Sequence, residues 1–295
     1  MEFNAIPDAD SGVKSATGAT GAISEDDFLK FREFFYRKTG IQFDHSKRYF
    51  VDKRLLERMH ATDNAAFRTY FTMLRFQASG EELQTLTNLM TVNETYFFRE
   101  EYQFRCLVQS LLPELVGRKK KDGPLRIWVL PSSTGEEPYS IAIYLLERWA
   151  AINDYDVEII ASDIDTRVLE HARAGRFSAR SVAQLPPQYL MKYFSRVGEE
   201  YQIDDGLRGA VEFSRVNLSD RGDTRSYRNF DVVFCRNLLI YFDDVSRKAA
   251  AETFFDALNP GGFICLGHSE SMSRISSLYK VRKFPEAIVY QKPME

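Results

Sequence analysis

Beyond residue 124 the chain alternates two textures, and that rhythm limits what it can fold into. Short runs rich in β-branched and aromatic residues recur: LRIWVLP (125–131), VEIIASDID (157–165), FDVVFCRN (230–237) and GGFICLGH (261–268). The first three lead into apolar residues at helical spacing, in PYSIAIYLLERWA, TRVLEHARAG and VSRKAAAETFFDAL. Apolar strands separated by amphipathic helices specify an α/β domain: a parallel sheet covered on both faces. FPEAIVYQK (284–292) has no helix after it and reads as an edge or antiparallel strand. The rhythm breaks over roughly 178–216, where LPPQYLMKYF and EYQIDDGLRG read as an inserted β-subdomain holding a helical piece and a hairpin.

The part before residue 93 has no strand-like alternation. Ser24 begins S-E-D-D, a cap followed by first-turn acids, and Phe28, Phe31, Phe34 and Phe35 follow at helical spacing. Further helical stretches fall near 46–60, 64–77 and 80–91. The expected organisation is a disordered tail at 1–22, an all-α domain at 23–92 and the α/β domain at 93–295. The net charge of −3 gives no general pull toward nucleic acid or anionic lipid. IAIYLL is far too short to span a membrane, and the first residues lack the basic-then-apolar pattern of a secretory signal. Three scattered cysteines suit a reduced, cytoplasmic protein, and His45, His60, His171 and His268 share no metal-type spacing. No metal is expected.

In open α/β sheets ligands bind beyond the carboxyl ends of the strands, where the strand order reverses. Four such ends carry small or polar residues: SSTGEEP (132–138), SDID (162–165), CRN (235–237) and GHSES (267–271). Asp163 lies 26 residues after Glu137, where dinucleotide folds place the acid that receives ribose hydroxyls. The plainer alternative is that Ser162 or Asp163 caps the helix from Thr166. The first turn offers Gly135 alone and two carboxylates, which would repel a pyrophosphate. A nucleoside with a cationic tail and no phosphate, S-adenosylmethionine, meets both conditions. Ser133-x-x-Glu136 and Thr134-x-x-Glu137 also fit a capping box. Pro138 as first helical residue would leave Glu137 outside the helix facing a ligand, with Glu136 serving the helix.

TVNETYFFRE (91–100), RIWVLPSSTGEEPYSIA (126–142), ASDIDTRVLEHARAGRF (161–177), FDVVFCRNLLIYF (230–242) and NPGGFICLGHSES (259–271) together resemble the CheR-type chemotaxis receptor methyltransferases. The resemblance runs over about 24–292 with the motifs in the same order. It implies a class I, Rossmann-like methyltransferase domain behind an all-α domain. The implied reaction passes a methyl group from S-adenosylmethionine to receptor glutamates, leaving S-adenosylhomocysteine and γ-glutamyl methyl esters. By motif, it implies a cofactor site of Asn93, Thr95, Arg99, Glu137, Asp163, Asn217, Leu218, Cys235 and Arg236, with Arg99 and Tyr241 flanking the reacting groups. The absence of a nucleophile–base constellation fits, because a glutamate carboxylate is already anionic at neutral pH.

The implied partner is the acidic cytoplasmic helical bundle of a chemoreceptor. Lys47, Arg54 and Arg58 recur at i, i+7 and i+11, and residues 47–58 carry five basic and two acidic side chains, a local charge of +3. That face is expected to dock the bundle. Residues 198–216 are a few residues shorter than in members that bind a receptor's C-terminal peptide, which points to a tether-independent enzyme. The family's small residues before STGEEP are replaced by Leu130-Pro131-Ser132. The competing readings are a class I methyltransferase for a small molecule or nucleic acid, and a non-catalytic cofactor-binding module.

Overall fold

A computed structural model describes residues 23–118 and 123–295; the tail expected at 1–22 lies outside the described residues. Four helices form the N-terminal part: α1 (Glu25–Thr39), α2 (Arg48–Ala61), α3 (Phe67–Phe76) and α4 (Glu81–Met90). Ser24 caps α1 by accepting from the Asp27 amide at 3.1 Å, with acids in the first turn and Arg37 and Lys38 in the last. Gly40 ends the helix in the left-handed region at φ 73°. A side chain there would also collide with Ser219 of the second domain, 2.2 Å from an added Cβ. Phe28, Phe31, Phe35, Leu55, Tyr70 and Leu86 build a core separate from that of the α/β domain.

Among the described residues the α/β domain holds ten strands: β1 (Leu125–Val129), β2 (Val157–Asp163), β3 (Arg176–Ser178), β4 (Phe194–Val197), β5 (Glu200–Ile203), β6 (Val211–Arg215), β7 (Phe230–Cys235), β8 (Leu258–Leu266), β9 (Lys280–Lys283) and β10 (Ile288–Gln291). Seven form one sheet in the order β6-β2-β1-β7-β8-β10-β9, while β3-β5-β4 make a small antiparallel sheet. The five strands from β6 to β8 run parallel; β10 and β9 close the edge antiparallel. Successive residues of β1 point to opposite faces. Ile127 and Val129 enter a core with Phe104, Ile141 and Phe234, whereas Trp128 enters another with Val233, Phe254 and Ile264. The covering helices include α5 (Tyr102–Cys106), α6 (Leu112–Val116), α7 (Glu136–Arg148), α8 (Thr166–Ala174) and a later helix, Asp244–Ala257.

The sheet differs from expectation at its edges. VEFSR, assigned by sequence to the inserted subdomain, is β6, the outer strand of the main sheet beside β2. Only one of its faces is buried, so it lacks the unbroken apolar run that marks a central parallel strand. KVRK forms the unforeseen edge strand β9, with Lys280 and Lys283 exposed as edge-strand charges commonly are and Arg282 paired with Glu114. FPEAIVYQK supplies β10, antiparallel as expected but inside the edge.

The two domains are stitched together around the carboxyl ends of the parallel strands. Asn217 donates to the Lys38 carbonyl at 2.6 Å, Ser219 to that of Thr39 at 3.1 Å, and Ile41 bridges Phe242. From α4, Gln84 donates to the Ile164 carbonyl at 2.8 Å and Asn88 to the Thr166 hydroxyl at 2.8 Å.

Candidate cofactor and acceptor site

Strand order reverses between β1 and β7, and the turn leaving β1 carries SSTGEEP. Ser133 (φ 47°) and Gly135 (φ 99°) both take left-handed angles. A Cβ on Gly135 would sit 2.9 Å from the Ala172 side chain, so glycine is needed for space as well as angle. Helix α7 begins at Glu136 rather than at Pro138. The expected start misjudged proline: the first four amides of a helix lack intrahelical acceptors, so proline fits anywhere in that turn. Neither Ser133 nor Thr134 caps the helix. Glu136 is a buried brace, accepting from Thr134 and Ser181, each at 2.6 Å.

Glu137 points the other way, toward the end of β7. Its Oε2 lies 3.1 Å from Arg236 Nη1, but not in hydrogen-bonding alignment, and its buried Oε1 has no partner. Arg236 is also buried; Nη2 donates to the Arg99 carbonyl at 2.8 Å and sits 3.3 Å from Glu100 Oε2. Its Nε and Nη1 have no hydrogen-bond acceptor. Burial pushes the Glu137 carboxyl above its usual range, against the pull of Arg236. Burial acts the same way on Glu100, but Arg236 and hydrogen bonds from His268 and Tyr102 outweigh it and hold that carboxyl low.

Asp163 ends β2, fully buried, with Oδ2 accepting from the Ser133 amide at 2.8 Å and Oδ1 from the Asp165 amide at 3.0 Å. Burial pushes its carboxyl up to about 6. The cap of α8 is neither Ser162 nor Asp163 but Asp165, which accepts from the Arg167 and Val168 amides. Ser162 instead receives the Trp128 indole N–H at 3.0 Å.

The segment 91–100 crosses over the start of α7, its Phe98 amide donating to Ser140 at 3.0 Å. Asn93 donates to Asp165 at 3.0 Å, and Thr95 is half-buried on the same segment. Arg99 donates to the Glu94 carbonyl at 2.7 Å, and its charge acts on the Tyr241 phenol. Burial raises that phenol despite Arg99, and Tyr241 remains 37% exposed. Asn217 is committed to the domain junction, while Leu218 and Cys235 are core residues. Burial pushes the Cys235 thiol far up, so a contact there runs through its backbone or an unionised sulfur. A cleft of about 490 Å³ lined by Lys38, Gln84, Ile164, Arg215 and Asn217 opens beside the end of β2.

Reading the sequence missed three residues of this site. Glu100 pairs with Arg236; His268 lies 2.9 Å from Glu100; Glu270 accepts from the amides of Asn237, Leu239 and Gly267 and so shapes the loop to Tyr241. The available signal was a charge set in otherwise small or apolar motifs, NETYFFRE and GHSES. Among the described residues, four of the six non-glycine positions with positive φ (Phe98, Glu100, Ser133 and Asn237) lie in these site segments. Such strain concentrates where surrounding structure holds a site in one geometry.

The expected docking face is divided. Lys47 is exposed just before α2, and Arg54 lies 5.3 Å over the Phe50 ring and 3.3 Å from Glu57. Arg58 is turned inward, donating to both oxygens of buried Glu82 at 2.9 and 2.7 Å, with Tyr70 on the same carboxylate. That corrects the assignment of Arg58: its charge is spent inside the domain. Among the described residues no group of three or more potential metal ligands is found.

At Glu137 and Arg236 a buried carboxylate oxygen without a donor lies beside guanidinium donors without an acceptor, a pairing of opposite needs that an α-amino acid's ammonium and carboxylate would meet. Together with an acid ending β2 and a turn unsuited to phosphate, this defines a class I S-adenosylmethionine-dependent methyltransferase. Sequence models of the CheR methyltransferase family match residues 26–91 (all-alpha domain) and 93–288 (SAM binding domain). The chain is 55% identical to chemotaxis protein methyltransferase 2 of Vibrio cholerae over 272 residues, 92% of this chain and 94% of that one. Identity to the chemotaxis protein methyltransferase of Salmonella typhimurium is 34%, covering 88% and 89%, and to that of Escherichia coli 32%, covering 88% and 90%. The chain belongs to the CheR methyltransferase family, whose role is methyl-ester formation on chemoreceptor glutamates during adaptation.

Proposed function

We propose that the residues placed around the β1 and β7 ends methylate glutamates of a chemoreceptor's cytoplasmic helical bundle. The observation carrying this reading is the buried, incompletely paired Glu137–Arg236 couple. S-adenosylmethionine, when bound, supplies an electrophilic methyl group on a sulfonium. Glu137 receives the ammonium of its amino-acid end and Arg236 the carboxylate. Asp163 receives the ribose hydroxyls through lone pairs its two backbone partners leave free. Asn93 and Thr95 line the near wall, Cys235 lies against the ligand, and Asn217 and Leu218 bound the base side next to Ile164.

Arg99 receives the incoming glutamate carboxylate, and Tyr241 orients it toward the methyl group. No general base is required, because a glutamate of pKa near 4.3 is ionised at neutral pH. Unlike charges meet and cancel in this transfer, so the protein contributes mainly by positioning and by excluding water. The site works on the cytoplasmic side, and no described helix is long and apolar enough to cross a membrane. Lys47 and Arg54, with exposed Lys53 between them, form the basic face for the acidic bundle, with Arg58 left out. The β4–β5 hairpin turns through only Gly198 and Glu199, in keeping with an enzyme that works without a receptor tether.

The direct test is calorimetric titration of Glu137→Gln with S-adenosylmethionine. Loss of a charged hydrogen bond should weaken binding roughly ten- to a hundredfold; wild-type affinity would remove Glu137 from the site. For the acceptor side, Arg99→Ala and Tyr241→Phe should each depress kcat with cofactor Kd little changed, and near-normal kcat in both would take them out of the mechanism. Charge reversal at Lys47 and Arg54 should raise KM for receptor alone. An unchanged KM would move docking elsewhere.

A further inference from the structure

We propose that Glu100 is a positioning residue of the cofactor site: it holds the Arg236 guanidinium short of a full pair with Glu137, keeping one Glu137 oxygen and two Arg236 nitrogens open for ligand. The inference rests on the reading of Glu137 and Arg236 as partners of the ligand's amino-acid end.

A guanidinium beside one buried carboxylate closes into a bidentate fork of two parallel N–H···O bonds. Arg58 and Glu82 do so in this same chain, at 2.9 and 2.7 Å. Arg236 and Glu137 do not. Their approach at 3.1 Å is misaligned, and Glu137 Oε1, Arg236 Nε and Arg236 Nη1 are left without hydrogen-bond partners. The restraint acts at the other end of the guanidinium, where Nη2 donates to the Arg99 carbonyl at 2.8 Å and lies 3.3 Å from Glu100 Oε2. The Phe104 ring, 5.6 Å from the guanidinium carbon, limits tilting.

Glu100 is itself held. Tyr102 and Gln103 donate to its Oε2 at 3.0 and 2.9 Å, and His268 Nδ1 lies 2.9 Å from its Oε1. Gln103 is anchored in turn on the Leu266 carbonyl at 2.8 Å, which ties the arrangement to β8. The left-handed backbone of Glu100, φ 55°, aims the side chain inward from a segment that otherwise runs across the site.

The test titrates Glu100→Gln with S-adenosylmethionine and with S-adenosylhomocysteine, which share the amino-acid end but differ in charge at sulfur. If Glu100 holds Arg236 off Glu137, both ligands should weaken by the same factor, roughly tenfold or more, with kcat at saturating cofactor little changed. A loss confined to the sulfonium ligand would overturn positioning in favour of a distant charge effect, and unchanged affinity for both would overturn the proposal outright. His268→Ala, at an exposed position, should produce a smaller loss, again equal for the two ligands; it carries the test if Glu100→Gln does not fold. If Glu137→Gln weakens binding and Glu100→Gln does not, this inference alone fails. If Glu137→Gln binds normally, the reading of the site fails first.

Discussion

Asp163 meets two backbone amides through its two oxygens while sitting fully buried. Its carboxyl is pushed up to about 6, chiefly by burial. Two opposite pH dependences follow. In the ligand-free protein the folded state holds this proton more tightly than the unfolded chain, so the stability it contributes is lost as pH rises through about 6. In the role proposed for Asp163, ribose hydroxyls donate to the ionised form, so cofactor affinity should instead rise as pH increases through the same range. Calorimetry between pH 5 and 8 should show that limb, and Asp163→Asn should flatten it and weaken binding; an identical limb in the variant would assign it to another group. Residue by residue, chemistry was legible where a charge stood against its surroundings. Glu137 stood out because two acids occupied a turn that other nucleotide folds fill with glycine, and it lies beside Arg236. Glu100 was not, because its meaning depends on Arg236, 136 positions away and adjacent only after β7 joins the sheet. Arg58 failed for a similar reason: helical spacing gives a face, but not which neighbouring helix covers it.

At the scale of elements, capping and periodicity carried the reading. The four N-terminal helices and the strands β1, β2, β7 and β8 fall close to their expected positions, since long apolar patterns there agree with their ends. The misses are short elements with one buried face or none, β6 and β9, and the start of α7, where Pro138 masked a helix already begun. The Arg58–Glu82 pair between α2 and α4 is an element-scale prediction. Arg58→Ala leaves Glu82 and the Tyr70 hydroxyl around an uncompensated, largely buried charge, and should cost about 3 kcal/mol. Urea unfolding should read that loss while cofactor affinity stays at the wild-type value. A variant as stable as wild type that nevertheless lost receptor affinity would return Arg58 to the docking face.

Over the whole molecule, the junction between the domains adjoins the loop that carries Tyr241. Gln42 donates its amide to the Tyr241 carbonyl at 3.2 Å, and Tyr36 donates to Asp243 at 3.0 and 3.1 Å, just past Tyr241. The N-terminal domain therefore supports the loop carrying Tyr241, the residue proposed to orient the acceptor. Tyr36→Phe should lower kcat several-fold without changing cofactor Kd, and should add nothing in a Tyr241→Phe background; additive losses would show that Tyr36 acts elsewhere. The central claim is that this site esterifies receptor glutamates. The measurement that reaches it most directly incubates the protein with S-adenosylmethionine labelled in its methyl group and receptor-bearing membranes, then releases volatile label with mild base. The account expects base-labile label, recovered as methanol, on the receptor and lost in Glu137→Gln at limiting cofactor. Label that resists mild base, or no transfer to the receptor, would contradict it.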